Sequence, residues 1–304
     1  MTSGKDFSPI VVFAFNRPLS LKNCIDSLKK NPEAINSDLY IFVDGERNGV
    51  VGEAELVRRV QEIANSVDGF KSVKVTVQEV NQGLAKSIIN GTTEVIEQYG
   101  KAIVVEDDLV VTPNFLCYMN QMLEFYELHK DVCQISGFGL KIKCPIDYNY
   151  DVYPHYRAMS WGWATWADRW NTVDWSMSRF KELAQNRKCR DAFNRGGSDL
   201  FGMLKDCYNR KNNSWYIRFN FDMHLKNKLC ITPIQSFVYN AGFDKNATHC
   251  NGYNRYHIDL IPDSKRCFNV PDTINVDERI SRQVVTYWSV MSRIKGKIQQ
   301  YLRK

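Results

Sequence analysis

Glu106, Asp107 and Asp108 follow one another at the end of the apolar run Ala102 to Val105. Clustered carboxylates repel one another and resist burial, so a strand does not carry three of them at its tip for packing. A divalent cation held by oxygen ligands and bridging to a phosphate would remove the conflict. Strand alternation keeps the three from facing the same way. One or two could then hold the metal while another orients a loop amide or a ligand hydroxyl. The blander reading is an acidic turn flanking a helix, since Thr112-Pro113 follows as a cap-plus-proline signal for a helix start.

Alternating elements must position these groups. Pro9 to Phe15 is a near-continuous apolar strand, and Leu21, Ile25 and Leu28 then recur at helical spacing. Asp38 to Val43 reads as a second strand ending at Asp44-Gly45, and Glu53 to Val67 as a helix. Val73 to Gln78 is a third strand, Leu84 to Tyr99 a helix, and Ala102 to Val105 a fourth strand. Strands separated by helices predict an α/β fold, a mostly parallel sheet flanked by helices. Ligands of such a sheet lie beyond the strand carboxyl ends. The polar clusters fall there: Asn16-Arg17, Asp44-Gly45, Glu79 to Gly83 and Glu106 to Asp108. Residues 1–140 are expected to form a ligand-binding half. Residues 141–304, rich in tryptophan between Trp161 and Trp175, form an extension of the same compact domain.

Arg17 could meet a phosphate or a base edge through its guanidinium fork, or stand as a surface arginine. Asp44 could accept from a base imide, or simply make an Asp-Gly turn. Lys86, in the first turn of a helix, faces the same rim. His249 lies in a Gly-containing loop that could bring a ligand to the carboxylates, where a lone loop histidine is otherwise solvated. Trp161 and Trp163 are either core or platforms for sugar rings, which offer an apolar face and a polar edge.

Bulk properties narrow the classes. The chain has 304 residues, long enough for one large core, and 44% hydrophobic with 24% charged residues describes an ordinary globular protein. No apolar run reaches the length of a membrane-spanning helix. Nine scattered cysteines without a Cys-x-x-Cys pair favour free thiols in a reducing compartment. The start of the chain reads as a first strand, not a signal peptide. The expected location is therefore cytoplasmic. The closing run carries Arg293, Lys295, Lys297, Arg303 and Lys304, either a solvated helix or a basic face for peripheral contact with the inner side of a membrane. Only one aromatic, Tyr301, falls within it, too little interleaving to argue for nucleic acid.

Together these residues resemble nucleotide-sugar glycosyltransferases of the GT-A type. The nearest likeness is to bacterial surface-polysaccharide transferases distantly similar to the Golgi N-acetylglucosaminyltransferases. Ala14 to Arg17 resembles the family's first strand end, Val43 to Gly45 the second, and Gly83 to Ile88 a segment whose lysine lies near the donor. Val104 to Leu109 resembles its variant of the Asp-x-Asp motif, Ser160 to Trp166 its acceptor-side segment, and Asn240 to Cys250 its closing loop. The resemblance implies a UDP-sugar donor, Mn²⁺ or Mg²⁺ on Asp108 with His249, and nucleotide contacts from Arg17, Asp44, Lys86, Glu106 and Asp107. It implies acceptor contacts from Trp161 and Trp163, and inversion at the anomeric carbon of a sugar passed to a glycan hydroxyl, free or lipid-linked. The family's acid beside a tryptophan is missing at Trp215-Tyr216-Ile217, which leaves Asp222 as the catalytic base and Asp174 as second choice. A sugar nucleotidyltransferase would need a Gly-rich first loop in place of Phe15 to Pro18. A catalytically inactive scaffold is the remaining alternative.

Overall fold

A computed structural model describes residues 7–241, 256 and 258–302. The strands are β1 (Ile10–Ala14), β2 (Asp38–Val43), β3 (Ser72–Val77), β4 (Lys101–Glu106), β5 (Leu109–Val111), β6 (Val132–Ser136), β7 (Val152–His155), β8 (Trp163–Trp166), β9 (Leu229–Pro233) and β10 (Val238–Asn240). The helices in the first part are α1 (Pro18–Lys29), α2 (Glu53–Asn65), α3 (Leu84–Tyr99) and α4 (Phe115–Phe125). Then come α5 (Ala167–Trp170), α6 (Phe180–Gln185), α7 (Arg187–Phe193), α8 (Leu200–Tyr208), α9 (Trp215–Leu225), α10 (Glu278–Thr286) and α11 (Val290–Leu302).

Eight strands form one sheet in the order β3-β2-β1-β4-β8-β6-β9-β7. The first four run parallel, as their helical crossovers require; β8 then pairs antiparallel with both β4 and β6, and β9 lies parallel to β6. The fold is thus a mixed, mostly parallel α/β sheet flanked by helices, as the alternation of elements predicts. Ile10, Val12 and Ala14 face a core closed by α1, α2 and α4, while Val11 and Phe13 face one closed by α3 and α9. Burial on both faces explains why β1 and β2 read as continuous apolar runs.

The helix start signalled by Thr112-Pro113 comes two residues on, with α4 beginning at Phe115, and Leu109–Val111 before it forms a short antiparallel ribbon with Val238–Asn240 that the sequence reading did not include. The ribbon partner lies too far along the chain for local pattern to reveal it. Its effect is to tie the residues after the carboxylates to the chain at Ala241, whose amide donates to the Asp108 carbonyl at 3.0 Å.

The end of β7 carries a buried titratable group. His155 has neither ring nitrogen hydrogen-bonded among the described residues. Burial, with the Arg157 charge adding to it, pushes its pKa down to about 3. The unfolded chain therefore binds a proton at this group below about pH 6.5 that the folded chain refuses. Stability from this source is complete above that pH and falls as pH drops toward the folded value. Urea unfolding should show a loss of about 2 kcal/mol between pH 7 and pH 5 that His155→Phe removes. Equal losses in both proteins would mean that His155 takes up no such penalty.

Candidate functional site

Beyond the carboxyl ends of β1, β2 and β4 lies a cleft of about 540 Å³, lined among others by Phe15, Arg17, Asp44, Arg47, Glu106 and Asp107. Parallel strands deliver their ends to one edge of the sheet, so residues far apart in sequence meet there. Arg17 follows β1 and reaches across to the tip of β4. One of its amino groups donates to Asp108 Oδ2 at 3.0 Å and the other to Asp107 Oδ1. Asp107 is buried and also accepts from the Phe15 amide at 3.4 Å.

One guanidinium does not neutralise three carboxylates. Burial, reinforced by Asp108 and Asp107, pushes Glu106 up to about 8. Burial pushes Asp107 up to about 6 against the pull of Arg17. Among the described residues no hydrogen bond or ion pair reaches the Glu106 side chain, and Asp108 Oδ1 has none either. The cluster is short of positive charge and offers hard oxygen donors, which fits a divalent cation. Three His, Cys, Asp or Glu side chains do not converge as a closed metal cage among the described residues. A cation held by one or two carboxylates and completed by substrate phosphates needs no such cage. Asp108 and Glu106 are the groups that would hold it. The His249 part of the expected ligand set lies outside the described residues.

Asp44, at the end of β2, is engaged by its own turn and by the loop that follows β3. Its Oδ1 accepts from the Gly45 and Gln82 amides at 3.0 and 2.7 Å, and its Oδ2 from the Gly83 amide and Asn81 Nδ2 at 2.9 and 3.1 Å. Those four donors fill the acceptor sites of an ionised carboxylate. Asp44 therefore clamps the 81–83 loop onto the end of β2 and shapes the cleft wall. A Cβ on Gly45 would lie 2.5 Å from the Val80 backbone, so only glycine permits the loop to sit this close. Lys86 is exposed and does not line the cleft, although Leu84 and Ser87 on the same turn do.

Arg47 is a cleft residue that sequence reasoning missed. It pairs with the buried Glu53, which also accepts from Asn16 Nδ2 at 3.0 Å, and its guanidinium lies 5.5 Å from the Phe15 ring centre. Its position three residues past the Asp44 strand end was the available signal. The Asn16–Glu53–Arg47 chain braces the loops after β1 and β2 against each other.

A second cavity, about 260 Å³, lies beside the strands next in the sheet. Register places Trp161 and Phe138 at the same edge as Glu106, because Trp163 pairs with both Val104 and Ser136. Trp161, Phe138, Tyr256 and Trp288 line the cavity, with Arg157 and Asp199. The Arg157–Asp199 pair is bidentate, at 2.8 and 3.1 Å, and buried. Arg157 Nε also donates to Tyr216 Oη at 2.6 Å, and the guanidinium sits 4.2 Å from the Trp288 ring centre.

Trp161 and Trp163 part company here. Trp163 is a core residue, stacked on Trp170 and Trp215 at 5.4 and 4.9 Å and fully buried, so it offers no face to a ligand. Gly162 between them has φ +60, which turns the chain so that one indole enters the core and the other the cavity. Asp222 is not brought to either cavity. It is buried in α9, where it accepts from the Asp174 amide at 3.0 Å and pairs with Lys226 at 2.7 Å. Asp174 in turn caps its own loop through Ser176 and Ser178.

Residues 10–141, which carry the whole cleft, match the model of glycosyl transferase family 2. No curated protein matches the sequence. Among solved structures, residues 1–349 of S. aureus TarS align at 10% identity over 77% of this chain and 60% of that one, with a TM-score of 0.42. The chain spans 36% of the longer TarS structure. A mannosyltransferase from Pyrobaculum calidifontis, solved with GDP-Man and Mn²⁺, aligns at 11% identity over 74% and 73% of the two chains, TM-score 0.36. A UDP-glucose pyrophosphorylase complexed with UDP-glucose aligns at 12% identity over 78% and 94%, TM-score 0.38.

Proposed function

We propose that this chain is a glycosyltransferase that moves a sugar from a UDP-sugar to a glycan hydroxyl with inversion, in surface-polysaccharide synthesis. The observation that carries the reading is the under-neutralised carboxylate cluster at the tip of β4, facing a cleft within the stretch that matches glycosyl transferase family 2. Residues 1–140 would hold the donor and residues 141–304 the acceptor.

In this reading Arg17 and Arg47 orient the diphosphate and nucleotide, and the loop clamped by Asp44 forms the wall beside the base. Such contacts supply orientation and binding energy away from the reacting carbon. A divalent cation on Asp108 and Glu106 would supply neutralisation of the charge that grows on the UDP leaving group. The cavity beside Trp161 suits one acceptor ring, with the indole against its apolar face. Asp199, paired with Arg157 and lining that cavity, would accept a hydrogen bond from the attacking hydroxyl and is better placed as its base than Asp222.

Calorimetry with UDP, with and without Mn²⁺, tests the donor site. Metal-dependent binding to the parent protein that Asp108→Ala abolishes is the expected result. Failure of UDP to bind the parent with metal present would remove UDP as the donor nucleotide, and GDP and other nucleotides would be titrated next.

A further inference from the structure

The last helix carries a surface that the donor cleft and the acceptor cavity leave unused. On α11, Val290, Met291, Ile294 and Ile298 are all exposed, at 54%, 64%, 46% and 53%. At helical spacing these four positions fall within one stripe about a quarter-turn wide, since residues three and four apart stack on one face. At the same spacing Arg293 falls on one side of the stripe and Lys295, which is exposed, on the other. From Arg279 to Lys304 the sequence holds seven Lys and Arg residues and no Asp or Glu. A merely solvated terminal helix has no reason to show four large aliphatic residues on one side. A protein-binding helix has no reason to exclude acids over this length.

We propose that α11 lies in the interface of an anionic lipid bilayer, its aliphatic stripe among the acyl chains and its cations against the headgroups. The charge complementarity selects lipid over a second protein: apolar area and cations on the same short helix add their separate attractions to such a surface. No described helix is long and apolar enough to cross a membrane, so the contact is peripheral. The helix is also fixed to the acceptor side of the molecule. Trp288, two residues before α11, lines the cavity with Trp161, and its carbonyl accepts from Ser198 Oγ at 3.1 Å. Docking therefore brings that cavity close to the bilayer surface. If the glycosyltransferase reading holds, on which this one consequence rests, its acceptor is presented from a lipid anchor.

Sedimentation with vesicles tests the proposal without any assay of transfer. The parent protein should pellet with vesicles of phosphatidylcholine mixed with phosphatidylglycerol and stay in solution with phosphatidylcholine alone. Exchanging Lys295 and Lys297 for glutamate should lower partitioning at least about 25-fold, about fivefold for each cation removed. Salt at about 1 M, where the Debye length falls to about 3 Å, should weaken the parent similarly. Ile294→Asp with Ile298→Asp should release the protein from the mixed vesicles while UDP calorimetry and circular dichroism stay as in the parent. The proposal is overturned if the parent ignores the anionic vesicles, or if the double aspartate exchange leaves binding unchanged. A dimer in light scattering that the same exchange dissolves, without vesicle binding, would assign the stripe to a second copy and also overturn it. Loss of UDP binding in the parent would instead count against the donor site and leave the lipid result standing.

Discussion

Asp108→Ala is expected to lower transfer by at least about 10²–10³-fold while leaving the fold stable, because it removes an electrostatic group aimed at charge that develops only during reaction. Asp108 is half-buried and paired to Arg17 through one oxygen, so its loss leaves Arg17 still held by Asp107. Neither a core contact nor a backbone clamp goes with it. The comparison with Asp222→Ala makes the point sharper. Asp222 holds the Asp174 amide and Lys226, so its removal should appear in urea unfolding and reach transfer only through instability. Rates of UDP release and of sugar transfer at saturating donor, measured beside unfolding midpoints, separate the two. Parent-like kcat/KM in Asp108→Ala would take the residue out of the site. A stable Asp222→Ala with a large loss of kcat would restore Asp222 as a candidate for the base.

Why these two aspartates needed a structure to be told apart is a matter of range. Asp108 announces itself locally: an apolar strand ending in three acids has few structural explanations, and β1 and β2 are similarly legible as continuous apolar runs and α3 as a long run of helical period. Glu106 and Asp107 were readable as a cluster, but not the shortage of positive charge around them, which depends on Arg17 arriving from another strand end. Asp44 shows the opposite failure. Its position at a strand end was visible, yet three of its four donors come from a loop nearly forty residues later, a contact that local pattern does not show. Trp161 and Trp163 are the same residue type two positions apart, and only the backbone turn at Gly162 sorts one to the cavity and the other to the core. The Arg157–Asp199 pair left no trace at all in local pattern, since its partners are separated by 42 positions and lie in unremarkable surroundings.

That pair carries the other large effect. Arg157→Met should destabilise the protein by about 3–5 kcal/mol, the usual consequence of leaving one member of a buried ion pair alone. Both side chains are buried, at 3% and 7% exposure, so little solvent is at hand to stabilise the stranded carboxylate. Tyr216 Oη loses its donor at the same time, and the Trp288 ring loses the cation above it. Replacing both partners, as Arg157→Met with Asp199→Leu, removes the stranded charge and should recover most of the loss, because a buried pair and an apolar isostere are close in stability. Urea unfolding of the two variants checks this directly; a double variant no more stable than the single would show that the pair is not an isolated electrostatic unit. The recovered double variant then tests the site. It should bind UDP with metal as the parent does and fail to transfer, since the carboxylate facing the acceptor ring is gone while the donor cleft is intact. Transfer at the parent rate would mean that the acceptor hydroxyl does not meet Asp199, and the cavity beside Trp161 would lose its place in the reaction.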